Sequence, residues 1–223
     1  MSRPLPKPPS AVLFDLDGTL IDTAPDFIRV LNALRQENAL APLPPEGIRP
    51  HVSDGARAMI RLGFGLEPGQ PDYAERHARF LDLYEAGICE ETALFAGMEH
   101  VLCALEESGV PWGIVTNKPV RFAAPLITAL ALDNRCHALI CPDHVVERKP
   151  DPEGLHLACQ QMGADPDRCI YVGDHARDIE AGRNAGMATV AVRYGYIVNP
   201  DEVDLWRADH AVNTVDELAK LLQ

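Results

Sequence analysis

The sequence predicts an α/β fold, a mainly parallel sheet with a helical unit inserted after its first strand. Three observations predict it. The run at 11–14 is continuously apolar and ends in acidic residues, as a strand covered on both faces does. From about residue 97 onward, short apolar runs alternate with helical patterns, which implies crossover connections between parallel strands. Between them, from about 23 to 93, the periodicity is helical and no convincing strand appears. With 223 residues and 47% apolar content, the chain can build one large domain, or a domain plus an insertion.

The elements follow in order. Residues 1–10, "MSRPLPKPPS", are proline-rich and hold no apolar stretch that could act as a signal sequence, so they read as a flexible extension. The strand at 11–14 meets "DLDGT", where Asp-Gly breaks it. Residues i and i+2 of a strand share a side, so Asp15 and Asp17 are expected to reach one point beyond the strand's C-terminal end. In open α/β sheets that edge binds ligands. Two adjacent anions suit a hard divalent cation such as Mg²⁺. The bland alternative is a hairpin turn, which Asp-Gly also favours. An EF-hand loop fails, because the glycine comes too early and no Glu closes the loop.

In the inserted unit, 25–38 places Phe27, Val30, Leu31 and Leu34 on one helical face. Residues 73–84 do the same with Tyr73, His77, Phe80, Leu81 and Tyr84, a face that reads as core. Prolines at 42, 44, 45 and 50 mark a loop, and another helix is expected to start near Ala56, after Gly55. Downstream, strands are expected at 112–116, 138–141, 169–173, 188–192 and 210–213. Helices are expected at 98–108, 120–130, 152–162, 176–185 and 215–222. The expected organisation is an extension at 1–10, a core from 11–22 plus 94–223, and the helical unit at 23–93.

Composition narrows the function. No apolar run approaches a membrane span. A net charge of −13 argues against nucleic acid or an anionic membrane as partner, and an anionic substrate would need a locally positive site. The six cysteines show no C-x-x-C pair or zinc spacing, which fits small buried hydrophobes in a reducing compartment, and a cytoplasmic protein.

The remaining strand ends carry polar chemistry. "VTN" offers the Thr116 hydroxyl and the Asn117 amide, both able to bond phosphate oxygens, although such residues are common in turns. "ERKPDPE" sets Lys149 before a helix start, and "YVGDHARDIE" ends a strand at Asp174 with Asp178 one helical turn on. Taken singly, Lys149 reads as a solvated lysine and Asp174 as a helix cap. Taken in this order, "DLDGT", "VTN", "KP" and "GDHARD" resemble the four motifs of the haloacid dehalogenase superfamily of phosphohydrolases. The resemblance runs from Val12 to the C-terminus and is nearest to the phosphoglycolate phosphatase branch, which "IVTNKP", "RKPDP" and "YGY" strengthen. "VTNKPVRFA", "ICPDHV" and "AVRYGYI" also look like a bacterial relative of that branch acting on N-acetylmuramic acid 6-phosphate.

The resemblance implies a Rossmann-like core with a helical cap, and a Mg²⁺-dependent phosphoric monoester hydrolase. Its partner would be a small-molecule phosphate ester such as 2-phosphoglycolate, handled by a monomer or homodimer. It implies Asp15 as nucleophile, forming an aspartyl-phosphate, and Asp17 as the acid and then the base. Mg²⁺ would bind Asp15, the backbone carbonyl of Asp17, and Asp174, with Asp178 behind them. Thr116, Asn117 and Lys149 would hold phosphoryl oxygens, and Thr19 would bond within the motif loop. His175 stands where relatives often carry Asp or Ser. Arg57, beside the Gly55 turn, is the candidate for pairing with a substrate carboxylate. Dehalogenating and phosphonate-cleaving relatives lack the second Asp, so Asp17 argues against both. A phosphomutase shares the same carboxylates, and a non-enzymatic binding protein would be expected to have lost a motif residue.

Overall fold

A computed structural model describes residues 3–223. Its main sheet has six strands, all paired in parallel: β1 (Ala11–Phe14), β4 (Trp112–Val115), β5 (Leu139–Ile140), β6 (Cys169–Gly173), β7 (Ala188–Val192) and β8 (His210–Val212). They lie in the order β5-β4-β1-β6-β7-β8. β1 sits centrally with every residue fully buried, which is why its sequence is continuously apolar. One face of the sheet is covered by α5 (Met98–Glu107), α6 (Val120–Ala129) and α9 (Val215–Leu222). The other is covered by α7 (Glu153–Met162) and α8 (Ala176–Asn184).

The inserted segment forms α1 (Ala24–Glu37), α2 (Pro45–Ile48), α3 (Gly55–Phe64) and α4 (Tyr73–Ala86), with a 3-10 turn at Arg49–Asp54. Its core is a separate cluster in which Phe27 packs on Phe80 and Tyr84 at ring distances of 5.7 and 4.7 Å. Two short strands flank it: β2 (Ile21–Asp22) pairs antiparallel with β3 (Ala93–Leu94). Fully buried Asp26 fastens this neck by accepting bonds from the Thr92 hydroxyl (2.6 Å) and backbone N–H (3.0 Å).

Three features differ from the sequence expectations. The proline-rich stretch contains α2, whose Pro45 stands where a missing N–H does no harm. β2 and β3 were not expected, because two residues carry no periodicity. Residues 3–10 lie against the core: the Arg3 guanidinium donates to the Gly186 and Asp167 carbonyls (both 2.6 Å) and Leu5 packs on apolar core residues. The flexible extension expected at 1–10 is therefore not found over 3–10, and Met1 and Ser2 lie outside the described residues. No helix among the described residues is long and apolar enough to cross a membrane.

Candidate active site

The ends of three neighbouring strands deliver the polar groups. Asp15 follows β1, Thr116 and Asn117 follow β4, and Asp174 follows β6. Lys149 arrives from the segment between β5 and α7, and Asp178 from the first turn of α8. Ligand atoms of Asp15, Asp174 and Asp178 all lie within 4.8 Å of one another, and all three residues are buried. Burial, reinforced by the other two carboxylates, pushes the Asp174 carboxyl well above its ordinary range. Burial likewise raises Asp15, and Lys149 opposes it. Three buried carboxylates at this spacing are the donor set a hard divalent cation takes, so the site fits such an ion.

Lys149 is the counter-charge to this cluster. Its Nζ donates to Asp15 Oδ1 (2.7 Å), the Val115 carbonyl (2.9 Å) and the Tyr171 hydroxyl (2.8 Å), with Asp178 Oδ1 also at 2.7 Å. Burial alone would lower this ammonium, but the Asp15 and Asp178 charges hold it above its usual value. In this structure Lys149 therefore balances the carboxylates themselves, where the sequence suggested contact with phosphoryl oxygens.

Asp17 departs from the expectation that both carboxylates reach one point. The strand ends at Phe14, and the Leu16 carbonyl accepts from the N–H groups of Leu20 and Ile21 (both 3.0 Å), so the chain is already in a turn. Strand alternation no longer applies there. The Asp17 side chain points instead to Lys118 Nζ (3.0 and 3.2 Å) and the Thr23 hydroxyl (2.7 Å). Each aspartate thus has its own ammonium. Lys118 was missed in the sequence, where a lysine just before a helix reads as solvated. Its only hint was its place directly after "TN".

The other expected residues fall into place around these. Thr116 accepts the Lys118 N–H on Oγ1 (3.1 Å), and its hydroxyl donates to no acceptor among the described residues. Asn117 donates to the Lys149 carbonyl (3.1 Å), while its Oδ1 is buried without a partner among the described residues. Thr19 was expected to bond within the motif loop, but its hydroxyl reaches Asp174 Oδ1 (3.4 Å). Asp178, expected behind the metal, lies in the carboxylate cluster and also accepts from the His175 N–H (3.1 Å). The helix cap is His175 rather than Asp174. Its Nδ1 accepts from the Arg177 N–H (3.1 Å) and its ring faces Asp54 of the inserted unit. Gly18 has φ +84°, and a Cβ there would lie 2.1 Å from Asp174 Oδ2, so the first and last motifs touch only because this residue is glycine.

A cleft of about 830 Å³ opens from these groups toward the inserted helices. Its cations are Lys118, Lys149, Arg57, Arg121, Arg148 and Arg177, set beside the carboxylates of Asp15, Asp17, Asp54, Glu147 and Asp178, so a strongly acidic chain gathers cations here. Arg57 is exposed and has no ion-pair partner among the described residues. Phe27, Phe80, Leu81, Tyr84 and Phe122 line the cleft as well, so the α4 face read as core also borders the cleft. His77 lies in the same wall; burial and the charges of Arg57 and Arg121 lower its imidazole.

Comparison with known proteins agrees with this geometry. The family described as haloacid dehalogenase-like hydrolase matches residues 12–192. An N-acetylmuramic acid 6-phosphate phosphatase of Pseudomonas aeruginosa is 48% identical, over 95% of this chain and 94% of its own. A phosphoglycolate phosphatase of Xanthomonas campestris is 43% identical, over 94% and 95%. The crystal structure of a predicted phosphoglycolate phosphatase from Haemophilus somnus superposes with a TM-score of 0.83 at 25% identity, covering 96% of this chain and 98% of that one.

Proposed function

The chain belongs to the haloacid dehalogenase-like hydrolases and is a phosphoric monoester hydrolase of that family; from this premise we propose that it uses Mg²⁺ and an aspartyl-phosphate on Asp15 to hydrolyse N-acetylmuramic acid 6-phosphate. The observation that carries the substrate reading is the 830 Å³ cleft, with its apolar wall and its arginines, Arg57 among them. Small-molecule sites span roughly 300–1,000 Å³ and enclose most of the ligand. A sugar phosphate with an acidic side arm, about two dozen non-hydrogen atoms, suits such a space better than 2-phosphoglycolate, with about nine. The second reading, 2-phosphoglycolate, is favoured by the name of the 43% identical relative and needs the same cationic lining.

In this mechanism a carboxylate oxygen of Asp15 attacks phosphorus as the ester oxygen leaves, and Asp17 gives that oxygen a proton. Thr116 and Asn117 hold equatorial phosphoryl oxygens, where negative charge is spread in the transition state. Water then cleaves the acyl-phosphate while Asp17 takes a proton back. Asp15, Asp174, Asp178 and the Asp17 carbonyl would hold Mg²⁺, which supplies charge stabilisation to the phosphoryl oxygens when bound. Lys149 opposes the rise that burial imposes on the Asp15 carboxyl and orients it for attack.

The deciding experiment is steady-state hydrolysis with Mg²⁺ of N-acetylmuramic acid 6-phosphate, N-acetylglucosamine 6-phosphate and 2-phosphoglycolate. The reading expects the highest kcat/KM on the first. A clear preference for 2-phosphoglycolate would establish the second reading in its place. No Mg²⁺-dependent phosphate release from any ester would overturn the residue roles.

A further inference from the structure

We propose that Lys118 is a positioning residue for Asp17, acting through it on the departure of the leaving group and not on the phosphoryl group. Lys118 is buried, and its Nζ meets both Asp17 oxygens, at 3.0 and 3.2 Å. Two rings of the inserted unit flank the ammonium, Phe27 at 5.1 Å and Tyr84 at 4.8 Å from their centroids. Thr23 Oγ1 fixes the same carboxylate by donating to Oδ1 at 2.7 Å. The aspartate is therefore held by two groups, Lys118 and Thr23, while the cluster of Asp15, Asp174 and Asp178 is served by Lys149.

The division has a chemical consequence. As the Asp15 oxygen–phosphorus bond forms and the phosphorus–ester oxygen bond breaks, the leaving oxygen takes the proton of Asp17. Negative charge then appears on the Asp17 carboxylate, where the fixed ammonium of Lys118 receives it with two charge-assisted hydrogen bonds. Lys118 keeps all its protons. An alkoxide leaving group needs this proton, whereas 4-nitrophenolate departs as a stable anion and needs it little. Lys118 should therefore matter in proportion to the basicity of the leaving group. A lysine that bound phosphate, or merely packed the cleft, would matter equally for every ester.

The inference rests on Asp17 as proton donor, and the experiment separates the two. Lys118→Met keeps the stem between Phe27 and Tyr84 and removes the charge. It is assayed with Asp17→Asn, the double variant and Thr23→Val, all with Mg²⁺, on a sugar 6-phosphate and on 4-nitrophenyl phosphate. Lys118→Met is expected to lower kcat about 100-fold on the sugar ester and less than about 5-fold on the nitrophenyl ester, with KM little changed. Thr23→Val should show the same asymmetry more weakly, and it decides the matter if Lys118→Met does not fold. Added to Asp17→Asn, Lys118→Met should lower the rate less than about 3-fold further, because the two act as a unit. Equal losses on both esters, or fully additive losses, would overturn the role of Lys118 alone, provided Asp17→Asn is leaving-group dependent. If Asp17→Asn itself loses equally on both esters, the proton-donor reading falls and this inference with it.

Discussion

Lys149→Met tests the electrostatic design of the site most directly. The wild-type ammonium lies 2.7 Å from both Asp15 and Asp178 and is buried. Methionine has a similar stem and no charge, so the substitution leaves three buried carboxylates with no ammonium among them. Breaking a buried ion pair by removing one partner typically costs about 3–5 kcal/mol. Protonation of Asp174 or Asp15, both already raised by burial, absorbs part of that, leaving about 2–3 kcal/mol as the expected loss. For a chain of this length each kcal/mol lowers Tm by roughly 2–4 °C, so the metal-free variant should melt about 4–12 °C below wild type. Mg²⁺ supplies the missing positive charge, so it should raise Tm more in the variant than in wild type. Turnover should fall by about 100-fold or more even with saturating Mg²⁺, because Asp15 loses its orienting bond. Differential scanning fluorimetry with and without Mg²⁺, beside phosphate release, reads both effects. A Tm loss that Mg²⁺ leaves unchanged, or a variant as stable as wild type without metal, would refute the view that Lys149 neutralises this cluster.

Asp15→Asn is nearly isosteric and should fold normally while losing at least about 10⁴-fold in kcat, measured by phosphate release; near-normal turnover would exclude the covalent route. EDTA should stop activity and Mg²⁺ restore it, with Ca²⁺ a poor substitute and Asp174→Ala needing far more Mg²⁺; full activity in EDTA would remove Asp174 from any metal role. Arg57→Ala should lower kcat/KM by roughly 10–150-fold on N-acetylmuramic acid 6-phosphate and leave N-acetylglucosamine 6-phosphate, which lacks the carboxylate, nearly unchanged, as expected for about 1.5–3 kcal/mol from one charge-assisted bond. Asp26→Ala strips the neck of its acceptor and should lower Tm by several degrees at pH 7. Burial alone would raise the Asp26 carboxyl, but the bonds from Thr92, Arg29 and Glu91 hold it below its ordinary value. Its stabilisation is therefore present above about pH 4 and fades as pH falls through the lowered folded value, so the gap between variant and wild type in melting curves should shrink in acid.

The strands of the core were legible because each fully buried strand leaves a short apolar run that ends abruptly in a polar residue. β6 and β7 run as expected, 169–173 and 188–192. Asp15, Thr116 and Asp174 were legible for the same reason, since each stands directly after such a run. What escaped the sequence lies in side-chain directions across large separations. Lys118 meets Asp17 across 101 positions, and Ser53 meets Asp174 across 121. No local period encodes such contacts. The direction of Asp17 was misjudged by carrying strand alternation three residues past Phe14, into a turn.

The contacts of Ser53 and Asp54 suggest how the inserted helices serve the core. Ser53 Oγ donates to Asp174 Oδ2 at 3.0 Å, the same oxygen that accepts the Tyr196 N–H at 2.8 Å. Next to it, Asp54 takes a bond from Arg177 at 2.8 Å, and its contacts with His175 and Arg177 hold its carboxyl down at about 2. The inserted unit thus touches the acidic cluster itself as well as the cleft it roofs. Yet Asp54 and Arg177 are both partly exposed, and such pairs contribute only about 0–1 kcal/mol each. Contacts this marginal add little to the hold of the inserted unit on the core. The tight bonds are kept for groups whose geometry must not change. Lys149 holds Asp15, and Lys118 with Thr23 holds Asp17. Two neighbouring aspartates in one motif are thus pinned by different lysines from different loops, the asymmetry that the proposed division into nucleophile and proton donor requires.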